Sequence, residues 1–195
     1  MNLMSHKAFL TLAALAATGL AAPATAQSSG VFVEQIGNNN TGAADQSNNT
    51  QRVDLTQDGD DNFLDIDQQD DGDHDAELDQ TGARNSATIT QSGDGTAALT
   101  LTQTGNDNAA LIGQADNGAG SLAEVVQSGN DNSLTLVQDG TDNLATMTQN
   151  GDNNTMTATQ TGDGNRLEWL QNGTGLSDLG IVQTGGAVAI ITQSN

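Results

Sequence analysis

The sequence predicts an all-β fold, a β-solenoid of about seven rungs, each rung of roughly 22 residues holding two short strands and two turns. Three observations predict it: a recurring glutamine, glycine and asparagine in fixed phase behind it, and period-two alternation up to the next glutamine.

The glutamines are Gln35, Gln46, Gln57, Gln68, Gln80, Gln91, Gln103, Gln114, Gln127, Gln138, Gln149, Gln160, Gln171, Gln183 and Gln193. Nine of the fourteen intervals are eleven residues and the others run from ten to thirteen. A fixed period implies a stacked architecture.

Two places behind the glutamine stands a glycine, at Gly37, Gly59, Gly82, Gly93, Gly105, Gly129, Gly140, Gly151, Gly162, Gly173 and Gly185. A tight turn there needs a residue that tolerates positive φ. Five places behind it stands an asparagine, at Asn40, Asn62, Asn85, Asn108, Asn132, Asn143, Asn154 and Asn165.

The residues that follow alternate. Asn62, Leu64, Ile66 and Gln68 share one parity, and Phe63, Asp65 and Asp67 the other. Period two means strand. One such unit cannot close a core, but two make a rung whose inner faces meet. The turns after Gln35, Gln57, Gln80, Gln103, Gln127 and Gln149 keep the full pattern, whereas those after Gln46, Gln91 and Gln114 are degraded.

Stacking also predicts why the amides recur. Inward-pointing Gln and Asn at the strand ends can bond to the equivalent amide one rung away and form ladders. A buried amide without that partner costs on the order of 1–3 kcal/mol.

Composition narrows the function. Four Lys+Arg face 25 Asp+Glu, for a formal charge of −21, so nucleic acid and anionic lipid are poor partners. Cysteine is absent and aromatic residues are Phe9, Phe32, Phe63 and Trp169 alone, so neither disulfides nor a bulky core hold the fold. Residues 1–26 read as a signal peptide: Lys7, an apolar run from Ala8 to Ala22, and small residues before Gln27. A short segment, 27–30, then leads into the repeats, 31–195. No further stretch is apolar enough to insert in a membrane, so the mature chain is expected outside the cytoplasm.

No catalytic constellation is legible, and no enzyme activity or cofactor is expected. His74 stands alone amid Asp70, Asp71, Asp73 and Asp75 and reads as a turn residue. The run from Asp67 to Gly72 imitates a calcium loop, but Gln69 and Leu78 occupy carboxylate positions, which leaves at most loose Ca²⁺ binding and no metal site. Outward Thr-x-Thr pairs such as Thr88/Thr90 and Thr146/Thr148 suggest ice binding, yet no face carries them on consecutive rungs.

The unit Q-x-G-x-x-N-x-A-x-x-x-Q is complete at Gln80-Gly82-Asn85-Ala87-Gln91, Gln103-Gly105-Asn108-Ala110-Gln114 and Gln138-Gly140-Asn143-Ala145-Gln149. In this the chain resembles the curlin repeat family of curli fibre subunits. The resemblance implies a secreted functional-amyloid subunit, most like the major one, that polymerises with itself at the bacterial cell surface for adhesion and biofilm. It also implies a nucleator subunit and a secretion machinery as partners, and leaves a minor nucleator or a monomeric Ca²⁺- or ice-binding solenoid as alternatives. The segment before the first repeat is shorter than such subunits usually carry.

The two ends agree with polymerisation. The last strand, Ala189 to Gln193, and the first, Val31 to Val33, are apolar and uncapped. Outward acids, among them Asp54, Asp65, Asp67, Glu77, Asp79, Glu124 and Glu168, are expected to slow premature assembly.

Overall fold

The computed structural model describes residues 30–48 and 50–195. The expected signal peptide and residues 27–29 of the short segment lie outside the described residues.

Fifteen strands alternate between two parallel sheets. The odd-numbered sheet holds β1 (Gly30–Ile36), β3 (Arg52–Asp60), β5 (Asp75–Ala83), β7 (Ala97–Asn106), β9 (Ser121–Ser128), β11 (Leu144–Asn150), β13 (Arg166–Asn172) and β15 (Val188–Ser194). The even-numbered sheet holds β2 (Thr41–Gln46), β4 (Phe63–Gln68), β6 (Ser86–Ser92), β8 (Ala109–Ala115), β10 (Ser133–Asp139), β12 (Thr155–Thr161) and β14 (Ile181–Thr184). Each strand pairs in sequence order with the one two places on, which makes the body a β-solenoid of about seven turns.

Register follows the glutamines. Gln35 pairs with Gln57, Gln57 with Gln80 and Gln80 with Gln103, and Gln138 lies between Gln114 and Gln160 in the other sheet. A slip of one residue would turn every buried side chain outward, so the alternation and the amides enforce the same register.

The core is thin and aliphatic. Leu78, Leu101, Val125, Met147 and Trp169 form the inner column two residues before the glutamine in the odd sheet, facing Ile66, Ile89, Ile112, Leu136 and Ala158 in the even one. Each fully buried Leu or Ile contributes about 1.5–3 kcal/mol. The alternate positions face out: Asp65, Glu77, Asp79, Glu124 and Glu168 are exposed, and Asp54 and Asp67 are partly covered.

Packing fades at the two ends. In β15 no residue is fully buried, and Val188 and Ile190 are 67% and 69% exposed.

Candidate functional site: the amide ladders

The glutamines form two continuous hydrogen-bonded columns. In the odd sheet Gln35 Nε2 donates to Gln57 Oε1 at 2.6 Å. The chain of bonds continues through Gln80, Gln103, Gln127, Gln149 and Gln171 to Gln193 at 2.7–3.1 Å. In the even sheet it runs from Gln46 through Gln68, Gln91, Gln114, Gln138 and Gln160 to Gln183 at 2.8–3.0 Å.

From Gln57 and Gln68 onward the amides also fasten the two sheets together. Gln80 Nε2 donates to the Phe63 carbonyl and Gln103 Nε2 to that of Ser86, each at the start of a strand in the opposite sheet. The residues from Gln57 to Gln171 that carry these bonds are fully shut off from solvent. Removing one would orphan groups on two neighbouring rungs and one facing strand.

Glycine and asparagine act as one device at the corner leading from the odd to the even sheet. Asn108 Oδ1 accepts from the backbone N–H of Asn132 at 3.2 Å and from its Nδ2 at 3.0 Å. Asn108 Nδ2 donates to Asn85 Oδ1 at 3.0 Å and to the Gly129 carbonyl, one rung on, at 2.8 Å. The bond to a glycine carbonyl recurs from Asn40, Asn62, Asn85, Asn132 and Asn154. The expectation of plain amide-to-amide pairing therefore holds for Gln, whereas Asn divides its bonds between the next asparagine and the next glycine.

All eleven turn glycines have positive φ. At Gly82, with φ of 115°, a Cβ would also run into the Gly105 backbone carbonyl stacked against it. Glycine is required there by the spacing of rungs as much as by the turn.

The opposite corner, leading from the even to the odd sheet, is heterogeneous. The equivalent position, just before the strand or at its first residue, is Gln51, His74, Ala97, Ser121, Asn143, Asn165 and Ala187 in turn. Of the expected ladder residues, Asn143 and Asn165 lie here rather than in the asparagine column; Asn165 Nδ2 donates to Asn143 Oδ1 at 2.9 Å, while Asn143 Nδ2 is buried without a partner.

Substitutes fill the corner role. Gln51 Nε2 donates to the Gln69 and Asp70 carbonyls one rung on. Ser121 Oγ lies 2.7 Å from Asp116 Oδ2 and 3.2 Å from the Gly140 carbonyl, and both Ser121 and Asp116 are buried. Gln51 and Ser121 stand at the corner position that Asn143 and Asn165 hold on later rungs, without the asparagine that would mark it in the sequence.

His74 lies in the corner between β4 and β5, where a turn residue was expected, and is buried there at 1% exposure. Its Nδ1 accepts from the Ala97 N–H, so Nε2 carries the proton and donates to the Gln69 carbonyl at 3.1 Å. Burial lowers its pKa below the ordinary value, against the raising influence of the Gln69 and Gly93 backbone and the charges of Asp70 and Asp116. Among the described residues no three acidic or histidine side chains converge as a metal site.

The glutamine columns have a direction. Every bond donates toward the C-terminal end, so the first acceptor, Gln35 Oε1, is buried with no donor. At the other end Gln193 Nε2 has only the Ser177 carbonyl, and Gln183 Nε2 only the carbonyls of Arg166 and Ala187.

These features define the class: a parallel β-solenoid with amide ladders for a spine and, among the described residues, an unpaired outer edge on its first and last strands. Within it, the family model for the curlin associated repeat matches residues 73–99 and 129–162, which include the complete units at Gln80–Gln91 and Gln138–Gln149. In these two segments the chain is similar to the curlin associated repeat. Comparison with curated proteins and with solved structures gives no match.

Proposed function

We propose that the chain is a secreted structural subunit of a curli-like fibre, polymerising head to tail at the cell surface, where the fibre serves adhesion and matrix building. The observation that carries this reading is the open-ended ladder. A buried acceptor at one end and, at the other, the one N–H that Gln193 Nε2 keeps free are what a second copy would satisfy. Because the two ends differ, the contact does not close on itself, and an unclosed head-to-tail contact yields a filament.

The same reading assigns residues 1–26 to export and makes the terminal glutamines, Gln35, Gln183 and Gln193, the junction residues. A nucleator subunit and a curli-type secretion machinery are its expected partners. The role is structural, with no catalysis.

The test starts from residues 27–195 desalted out of denaturant and follows thioflavin-T fluorescence and electron microscopy with time. Fibrils that seed fresh monomer are expected; a β-rich monomer that persists overturns the reading. Assembly is also expected to be faster at pH 4 than at pH 7, because protonation relieves the repulsion of the acidic surface. Equal rates would remove that part.

A further inference from the structure

Resting on the polymer reading, we propose that successive copies in the filament are related by a half-turn about its axis, so that the strand following β15 is β1 of the next copy placed in the even-numbered sheet.

The argument is one of parity. Among the described residues the odd sheet has eight strands and the even sheet seven, so the described body ends half a rung beyond a whole number. If the next copy were added by translation alone, its β1 would pair with β15, but its β2 would stand two strand spacings from β14. One strand position in the even sheet would be vacant at every junction. The facing edges of β14 and β2 would then keep their backbone N–H and C=O groups unpaired beside a core.

A half-turn removes the vacancy. Rotation about the axis exchanges the two sheets and their strand directions while preserving the winding sense. β1 of the next copy then pairs with β14, and its β2 with β15. The alternation of sheets runs on without a break.

The eleven-residue unit makes the exchange chemically sound, because both sheets carry the same glutamine column with the same direction. Gln183 Nε2 would turn from the Ala187 carbonyl to the orphaned Gln35 Oε1, and Gln193 Nε2, which has one N–H left, would donate to Gln46 Oε1. Translation has two points in its favour: it would set Ile190 beside Phe32 on the outer face, and Gln193 Nε2 beside Gln35 Oε1. The half-turn also supplies a donor to Gln35, and the apolar contact is small against a strand's worth of unmade backbone bonds.

The experiment uses disulfide trapping, for which the chain is suited because it contains no cysteine. With Gln193 in register with Gln46, Ile190 lies beside Ala43 of the next copy; with translation it lies beside Phe32. Two double variants, I190C/A43C and I190C/F32C, are expressed as the full chain with export left to the host. Their fibres are collected, oxidised, dissolved in denaturant and run without reductant. In-register neighbours in parallel strands lie within disulfide reach.

The half-turn predicts covalent multimers from I190C/A43C and monomer from I190C/F32C. The reverse pattern, multimers from both, or multimers from neither although fibres form, overturns the half-turn and leaves the polymer standing. Absence of fibres from the unsubstituted chain overturns the polymer reading itself. All three positions face outward, and seeding by wild-type fibres checks that each variant still folds. Helical analysis of micrographs gives a second readout: fifteen strands in two sheets make seven and a half rungs, hence a half-turn with a rise of about 36 Å per subunit.

Discussion

The two corners of each rung solve the same problem under different constraints. From the odd to the even sheet, Gln103 to Asn108 and its equivalents from Gln35 to Asn154 span five residues every time, with glycine in the middle and asparagine at the end. From the even to the odd sheet the span runs from Gln183 to Ala187 at its shortest and from Gln114 to Ser121 at its longest, ending on five different residue types. One corner is a repeated part whose members bond to one another; the other is a set of local solutions. A fold stacked at one spacing needs only one such spine per rung, and the second corner is free to drift.

The largest effect should come from changing corner length. Two glycines inserted between Asn106 and Asp107 break the bonds of Asn108 to rungs on both sides and are expected to abolish folding, measured as loss of β circular dichroism. The same insertion between Asn117 and Gly118 is expected to leave it. Equal damage from both would dissolve the distinction.

Next in size is Gly82→Ala, where positive φ and the Gly105 carbonyl both oppose a side chain. A loss of about 3 kcal/mol in urea unfolding is expected, against about 1 kcal/mol for Gly185→Ala, which has open space around it. Asn108→Ala leaves the Asn132 N–H and the Gly129 carbonyl unpaired and should cost about 2–4 kcal/mol; Ser121→Ala, with fewer dependants, about 1 kcal/mol.

The smallest effect is the pH response of His74. Burial disfavours its charged form, so the folded chain binds fewer protons than the unfolded one. The stability it supports is complete above the ordinary histidine value of 6.5 and declines as the pH falls below it, because the protonated ring can no longer accept from the Ala97 N–H. His74→Asn should flatten the urea midpoint between pH 7 and pH 5; an unchanged slope would show the ring to be inert.

This difference between corners also decided what the sequence could reveal. Gln80, Gly82 and Asn85 were legible because each satisfies its copy one rung away, and such mutual dependence prints a period on the chain. Period two gave the strands and the inner column, from Leu78 to Trp169. His74 and the Asp116–Ser121 pair were not legible, since their partners are local carbonyls and turn amides and carry no repeat. Nor could phase alone assign Asn143 and Asn165 to the irregular corner, because their spacing behind Gln138 and Gln160 matches that of the regular one.

The common direction of the glutamine bonds has an electrical consequence. Parallel strands carry little net moment along the solenoid axis, because their N–H and C=O groups alternate across each sheet. The glutamine amides do not alternate: thirteen donor steps, seven in one column and six in the other, all point the same way. Their moments add as peptide moments do along a helix, and each bond polarises the next. The glutamine columns thus form a molecular electret, negative where Gln35 begins and positive where Gln183 and Gln193 finish, and the asparagine amides, which bond the opposite way from Asn132 to Asn108 and from Asn108 to Asn85, offset it in part. Copies meeting in solution would be drawn into head-to-tail order by this moment before any strand has paired.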